Sequence, residues 1–303
     1  MSKNIRSLVV FVAALSAACG GGGGSSSGGG GSAGGAGGAG SGGETAGGGG
    51  AAASTAPSSA PPPPANAHVR VIHASPEPAA ATVALYMDNG ATPSVASLAY
   101  KAAAGYADVP AGEHPVAVRP ATAAADSAPA ITATTPALEG DHYYTAIAHG
   151  LASAHNALTI TFANDDTTQP EAGHAAVRFF HALNGVAAVD LCLPGANARA
   201  AGTPVFTNVA YGAFGTPASG TGQYAQVASG AAVRVQIRAH AATACSGAVQ
   251  GVIAMTPEDR SVVTAVAVGN AGRPAVAREV VVCPDAPATT GASTCATVPI
   301  AAH

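Results

Sequence analysis

The sequence predicts an all-β protein in which two tandem β-sandwich domains follow a disordered tether. Three observations support this prediction. Apolar and polar residues alternate in short runs beyond residue 66, and one pattern of strands occurs twice along that part of the chain. Glycine dominates the segment before residue 66. The 303 residues include 39 glycines and no tryptophan, and aromatic residues make up only 4%. The side chains are therefore small, and the cores that they fill must be small or extended.

The N-terminus has the organisation of a lipoprotein signal peptide, residues 1–18. Lys3 and Arg6 supply a positive region, and the apolar stretch at 8–14 is far shorter than the roughly twenty residues that span a bilayer. The Leu-Ser-Ala-Ala-Cys-Gly run that follows resembles a bacterial lipobox, in which the cysteine is diacylated and becomes the mature N-terminus. Cys19 is therefore the expected lipidation site. The alternative is an ordinary secretory signal cut at the preceding alanines, which would leave a free thiol.

Residues 19–66 form the predicted lipid-anchored linker, rich in glycine, serine, alanine and proline. The segment contains the serine run 25–27, a single charge at Glu44 and four consecutive prolines at 61–64. Such a composition cannot bury enough apolar surface to offset the entropy of ordering the chain, so we expect disorder. A flexible chain of this length spans roughly 35–40 Å and would hold a domain away from a membrane surface.

Beyond residue 66 the short runs have period two, which is typical of half-buried strands. Eight strands in about 100 residues suit an immunoglobulin-like β-sandwich. The strands are expected near residues 68–75, 82–88, 96–100, 104–108, 114–119, 129–134, 142–149 and 157–163. The residues expected in the core of this first domain are Ile72, Val83, Leu85, Val116, Val118, Ile147, Leu158, Ile160 and Phe162.

The strand pattern of the first domain recurs in the second half of the chain. Val-Arg-Val-Ile-His-Ala at 69–74 matches Val-Arg-Phe-Phe-His-Ala at 177–182, and further matches follow in the same order. The offset between the copies drifts within loops rich in Gly, Pro and Ser, where insertions are tolerated. The predicted layout is a first sandwich repeat at 67–166, a second at 173–285 and a C-terminal tail at 286–303.

Several motifs of the first repeat carry a resemblance to a known family. They are the Val-Arg-Val-Ile-His-Ala-Ser-Pro run at 69–76, an aliphatic strand ending near 88–90, a Leu-Ala-Tyr run, the pair Gly105-Tyr106, and Val-Pro-Ala-Gly. Together they resemble the domain-of-unknown-function family 4397, over about residues 66–285. The second copy departs at Leu183-Asn184, where Ser-Pro is expected, and lacks the Gly-Tyr pair. The resemblance implies an envelope-exposed β-sandwich module, often found in tandem in secreted and surface-anchored bacterial proteins, and it assigns no catalytic residue.

Four cysteines lie in the second repeat or the tail, and an even number in an exported protein predicts disulfides. They are Cys192, Cys245, Cys283 and Cys295. Of the three possible pairings we favour Cys283 with Cys295, which closes a short loop between the last strand and the tail. Cys192 would then bond Cys245. The alternative is that Cys192 is only a small apolar core residue.

Other polar residues are weaker candidates for a site. His73 and His181 occupy the same place in both copies, and we expect a packing and hydrogen-bonding role more than a ligand position. His149 and His155 flank a turn, but a zinc site would need a further ligand that spacing does not identify. The run 164–166, Asn-Asp-Asp at the domain junction, fits either a calcium site or a solvated linker.

Charge and motifs exclude several classes of function. The formal net charge is −4 and only 9% of residues are charged, so no nucleic-acid partner is expected. The sequence contains no Gly-x-Ser-x-Gly, no His-Glu-x-x-His and no paired-cysteine zinc spacing, so we predict neither an enzyme nor a cofactor.

Two classes of function remain. The first is a lipid-anchored cell-envelope module, expected at the outer membrane on its periplasmic face or at the cell surface, that binds a polysaccharide or an envelope protein. The second is a structural envelope component or spacer without a soluble ligand. Tyrosines clustered on an exposed face would favour the first class, and buried tyrosines the second. The tyrosines in question are Tyr86, Tyr100, Tyr106, Tyr143 and Tyr144.

Overall fold

A computed structural model describes residues 65–77, 81–152, 156–195, 202–273, 275–285 and 295–302. These residues belong to one compact unit, Ala60–His303. The predictions for the signal peptide, for Cys19, for His155 and for the linker up to residue 64 lie outside the described residues. None of the described residues forms a helix long and apolar enough to cross a membrane.

The first half of the described chain, called the first sandwich below, contains eight strands. They are β1 (Ala67–His73), β2 (Thr82–Met87), β3 (Val95–Ala99), β4 (Ala107–Val109), β5 (Pro115–Pro120), β6 (Ile131–Thr134), β7 (Tyr143–His149) and β8 (Thr159–Asp165). All eight predicted strands are present, and each end lies within three residues of its predicted position. The alternation of apolar and polar residues was therefore sufficient to locate them.

These strands form two four-stranded sheets, in the orders β4-β1-β7-β8 and β3-β2-β5-β6. The central pair β1 and β7 is parallel, and every other pair is antiparallel. The predicted all-β sandwich class is confirmed. The strand order differs from that of immunoglobulin constant domains, whose sheets are ABED and CFG, because the first strand here lies between the fourth and the seventh.

The second half, called the second sandwich, has the same plan with additions. Its strands are β9 (His174–Asn184), β10 (Val189–Leu193), β11 (Thr203–Val209), β12 (Thr216–Pro217), β13 (Gly220–Thr221), β14 (Tyr224–Ala228), β15 (Val233–Ala239), β16 (Val249–Met255), β17 (Val262–Asn270), β18 (Glu279–Pro284) and β19 (Ala296–Pro299). The sheets are β13-β14-β9-β17-β18-β19 and β12-β11-β10-β15-β16. Without β12, β13 and β19, the order is that of the first sandwich.

Each sandwich encloses its own core. The core of the first contains Val71, Val83, Leu85, Leu98, Val116, Val118, Ile131, Ala146, Ala148 and Ile160. The larger core of the second includes Phe179, Leu183, Val189, Leu191, Phe206, Val209, Ile237 and Ile253. Ile72 and Ile147 were expected in the first core, but successive strand residues point to opposite faces, and both lie on the other side of their sheet.

That other side is the third core, which joins the two sandwiches. The sheets containing β1 and β9 pack against each other, so both of their faces are covered, and each strand carries apolar residues on both faces. The buried residues of this shared core are Ile72, Ala74, Ile147, Phe180, Ala182, Val266, Val268, Val281 and Cys283. Hydrogen-bonded strand pairing stays within each sandwich, so the two halves are held together by side chains.

Candidate functional site

Two arginines are buried in the contact between the sandwiches. Arg70 on β1 and Arg178 on β9 follow valine in the repeated motif, and both have 0% exposure. They alternate with residues that face the sandwich cores, so their side chains must lie on the sheet face that meets the other sandwich. A fully buried guanidinium is unusual unless it is paired.

Arg70 forms bonds within its own sandwich and across to the second. Its Nε donates to Thr145 Oγ1 on β7 at 2.8 Å. Its other nitrogens donate to Asp285 Oδ1, to Thr264 Oγ1 at 3.3 Å and to the carbonyl of Pro284. The arginine of the first sandwich is thus paired with the aspartate that follows the last main strand of the second.

Arg178 forms the reciprocal set. Its Nε donates to Thr264 Oγ1 on β17 at 3.1 Å, and a terminal nitrogen donates to Asp165 Oδ1 on β8. Another donates to the carbonyl of Asn164 at 3.0 Å, as Arg70 does to the residue before Asp285. Each sandwich therefore supplies one arginine to the other and receives one in return, as in the isologous interface of a symmetric dimer.

A tyrosine completes each half of the cluster. Tyr106 Oη donates to Asp165 Oδ2 at 2.6 Å, and Tyr224 Oη donates to Asp285 Oδ2 at 2.7 Å. Each ring also lies against the guanidinium of its own sandwich, at 4.9 Å and 5.0 Å from the ring centroids. Tyr224 lacks the preceding glycine of the first copy's Gly-Tyr pair, but the tyrosine itself is retained in position and in bonding.

The electrostatics of the cluster are balanced. Two guanidinium groups face two carboxylates, so the buried region has no net charge. Burial alone would lower the pKa of Arg178, but the carboxylates of Asp165 and Asp285 and the nearby Tyr224 hold it above its usual value. Burial is also the main reason why the pKa values of Tyr106 and Tyr224 are raised. These groups remain protonated as donors, and the cluster acts as a lock between the sandwiches.

A second polar group lies in the same interface around Tyr211. The ring of His149 is 5.6 Å from that of Tyr211 and 5.1 Å from that of Phe180. His149 Nε2 bonds Thr161 Oγ1 at 2.9 Å, while its buried Nδ1 has no hydrogen-bond partner among the described residues. Burial lowers the pKa of His149 to about 4. Nearby, Lys101 pairs with Glu279 across the interface.

The two histidines at equivalent positions have structural roles. His181 Nδ1 accepts from the backbone N–H of Leu183 at 3.2 Å, and Nε2 contacts the carbonyl of Ala187 at 3.1 Å. His73 Nδ1 accepts from the N–H of Ser75 in the same way, at 3.4 Å. Both rings are buried. The expected packing and hydrogen-bonding role fits this geometry.

The Asn-Asp-Asp run at the junction is already used by the protein. Asp165 binds Arg178, Thr145 and Tyr106, and the carbonyl of Asn164 accepts from the same arginine. Asp166 accepts from the N–H of Thr168 at 2.9 Å. Among the residues that the structure describes, no three His, Cys, Asp or Glu side chains are grouped to hold a metal ion. Two residues of this run, Asn164 and Asp165, therefore help to hold the two sandwiches together by bonding Arg178.

The four C-terminal cysteines form two disulfides, so the prediction of disulfide bonds is confirmed. The pairs are Cys192–Cys245 and Cys283–Cys295. Cys245 lies in a loop held by the buried carboxylate of Asp190, which accepts from its N–H at 3.0 Å and from His240 Nδ1 at 2.8 Å. The second disulfide holds the start of β19 beside β18.

The tyrosines do not form an exposed platform. Tyr86 and Tyr144 are buried, and Tyr100, Tyr106 and Tyr143 are half-buried against histidine, arginine or other tyrosine side chains. The guanidinium carbon of Arg119 lies over the Tyr86 ring, 4.6 Å from its centroid. A tyrosine face for stacking on a sugar is therefore not present among these residues.

Residues 67–192 match the model of a domain family of unknown function (DUF4397). The match covers the whole first sandwich, β9 and most of β10. The resemblance to this family that the motifs predict is confirmed over this range. No curated protein matches the chain.

Proposed function

We propose that this chain, with its resemblance to a family of envelope-type domains, is a non-enzymatic lipoprotein of the cell envelope that presents two interlocked β-sandwiches for binding or adhesion. The observation that carries the proposal is the pair of disulfides, since such bonds persist in oxidising compartments outside the cytosol. The signal-peptide pattern, the lipobox-like run at Cys19 and the linker 19–66 support export followed by anchoring.

The interlocked sandwiches support a presenting role. Buried arginine–aspartate pairs and a shared apolar core hold both halves in one unit. Such a unit on a long tether would keep a fixed surface at a distance from the membrane. We place it at the outer membrane, on its periplasmic face or at the cell surface, because glycine and not aspartate follows Cys19.

The alternative function is a structural envelope component or spacer without a soluble ligand. The burial of the tyrosines favours it, because the platform expected for sugar binding is missing among them. Binding of purified envelope polysaccharides and envelope protein extracts to the soluble full-length Cys19→Ala protein separates the two functions. Saturable binding supports the module, and its absence for every fraction supports the spacer.

The lipid anchor is tested by cell fractionation. Wild-type protein should sediment with membranes and incorporate labelled fatty acid, and Cys19→Ala should be soluble and unlabelled. Ser16→Ala is the matched control, since it alters the same run and keeps the cysteine. Continued membrane association of Cys19→Ala, or a mature N-terminus without Cys19, would contradict the proposal.

A further inference from the structure

The first sandwich has a long edge strand that no described strand covers. β8 pairs with β7 in continuous register over all seven of its residues. No strand among the described residues pairs with its other edge. An edge strand of this kind presents a row of unpaired N–H and C=O groups, which is a template for a further strand.

Most other sheet edges of the described chain are protected by known devices, and β19, the outermost strand of its sheet, has only four residues and ends at Pro299. β4 has three residues, β12 and β13 have two each, β3 has a register shift, and β6 has four residues between Pro129 and Pro136. β16 is bridged to Ala301. β8 has neither proline, lysine nor arginine, and its one charged side chain, Asp165, is buried.

The equivalent edge of the second sandwich is occupied. β19 pairs antiparallel with β18, placing Val298 opposite Val280. Val298 and Ile300 pack against the second core. The chain continues to β16, where Val252 and Ala301 exchange both backbone bonds, at 3.0 Å each. One extended segment thus closes the open side of this sandwich.

No segment in the described part of the chain closes the open side of the first sandwich in this way. Phe162 and Leu158 pack against the first core but remain partly buried. β6 and β8 are in contact there without hydrogen-bonded pairing. In the second sandwich the side chains of Val298 and Ile300, from the tail, fill the equivalent space beside the core.

We propose that β8 is the docking edge for an extended segment of a partner protein, which adds antiparallel to β8 as β19 adds to β18. The segment would be uncharged, with alternate small apolar side chains directed towards Ile160 and Phe162. This inference names the partner class for the binding role proposed above, so it rests on that role. It does not depend on the lipid anchor, and it fails or succeeds separately from the fractionation experiment.

The bonding pattern of β19 fixes which amides take part. Ile300 N–H donates to Arg278 O at 3.0 Å, so the N–H groups of Ala296 and Val298, in phase with it, face β18. By the same alternation, the N–H groups of Ile160 and Phe162 face the free edge. They should exchange with solvent about tenfold or more faster than those of Val280 and Val282.

The probe is a peptide of residues 294–302 with Cys295→Ser, added to the full-length Cys19→Ala protein. It should slow exchange at Ile160 and Phe162 about tenfold at saturation. N-methylation of the peptide at Ala296 and Val298 should abolish binding. N-methylation at Thr297, whose N–H faces away, is the matched control and should leave binding intact.

Several results would overturn the proposal. Slow exchange at Ile160 and Phe162 in the free protein would mean that the edge is already covered. Equal binding of both methylated peptides would exclude strand addition. A dimer in sedimentation whose formation protects the β8 amides would identify a second copy of the chain as the occupant, in place of a different protein.

Discussion

The two sandwiches share a strand order but are held together by different means. The first has no cysteine, and no described strand pairs with the outer edge of its β8. The second has two disulfides, an extra strand on the equivalent edge and a larger core with Phe179 and Phe206. A duplicated fold can therefore keep one interface in both copies while the copies diverge at their far sides.

The interface is the part that stayed the same. Each sandwich contributes an arginine, a threonine, an aspartate and a tyrosine at matching positions. Reciprocity makes these positions interdependent, because a change at one arginine leaves an aspartate of the other sandwich without its partner. The open edge and the disulfide loops lie outside this constraint, and there the copies differ.

The largest effect is expected from breaking the reciprocal lock. Arg178→Leu should destabilise the protein by about 3–5 kcal/mol, because Asp165 would become an uncompensated buried charge. Arg70→Leu should cost about as much, since its environment is equivalent, and the double variant Arg178→Leu, Asp165→Leu should cost less than Arg178→Leu alone. Denaturant unfolding measures these differences. Arg234→Leu, at an exposed position, is the control.

If either single lock variant lost less than about 1 kcal/mol, the pairs would not hold the sandwiches together. A double variant worse than Arg178→Leu alone would show that other bonds of Asp165 dominate. A large difference between Arg70→Leu and Arg178→Leu would show that the interface is reciprocal in geometry but not in energy.

The next largest effect is expected from the disulfides, which only the second sandwich has. The bonds close loops of 53 and 12 residues, for which loop entropy gives about 4 and about 3 kcal/mol respectively. Reduction should therefore lower the melting temperature, and Cys192→Ser with Cys245→Ser should lower it more than Cys283→Ser with Cys295→Ser. Hydrogen exchange should increase in β10 and β15 more than in the equivalent β2 and β5.

Equal acceleration of exchange in both sandwiches after reduction would mean that the shared core couples them fully. Four free thiols in the oxidised protein would contradict the bonds themselves. The first sandwich is the internal control, because it has no cysteine to reduce.

The sequence predicts much of the fold but little of the site, for physical reasons. Period-two alternation located the strands because each sheet has one face in a core. It could not show that β1 is buried on both faces, so Ile72 was assigned to the wrong core and Arg70 was not recognised as buried. The sequence signal that could have revealed the interface was the same set of residue types, Arg, Thr, Asp and Tyr, at equivalent positions of both repeats. Tyr224 was not matched to Tyr106 because the glycine that precedes Tyr106 is absent from the second repeat. Pairing across the interface depends on how the two sheets pack, which no local pattern encodes.

A smaller effect is expected from pH, through His149 on β7 of the first sandwich. The equivalent position of the second sandwich is Val268, which does not titrate. Burial lowers the pKa of His149 to about 4, below the ordinary value of about 6.5. The unfolded chain therefore binds the proton first, and stability is lost as the pH falls from about 6.5 to about 4, by about 3 kcal/mol. His149→Leu should flatten the pH dependence of unfolding in this window. An unchanged slope would contradict this assignment; His174→Leu, at an exposed position, is the control.

The smallest effect is expected at Lys101, whose position is equivalent to that of Gly212; both have left-handed backbone, at φ 70° and 74°. Lys101→Gly relieves a conformation that costs a non-glycine residue roughly 1–2 kcal/mol, but it removes the pair with Glu279, worth up to about 1 kcal/mol. These changes offset each other, so stability should shift by no more than about 1 kcal/mol. Gly212→Ala has no such compensation, because its Cβ would lie 2.9 Å from His149 Cε1. It should be clearly destabilising in the same denaturant titration, and a neutral Gly212→Ala would show that the two sides of the interface tolerate side chains alike.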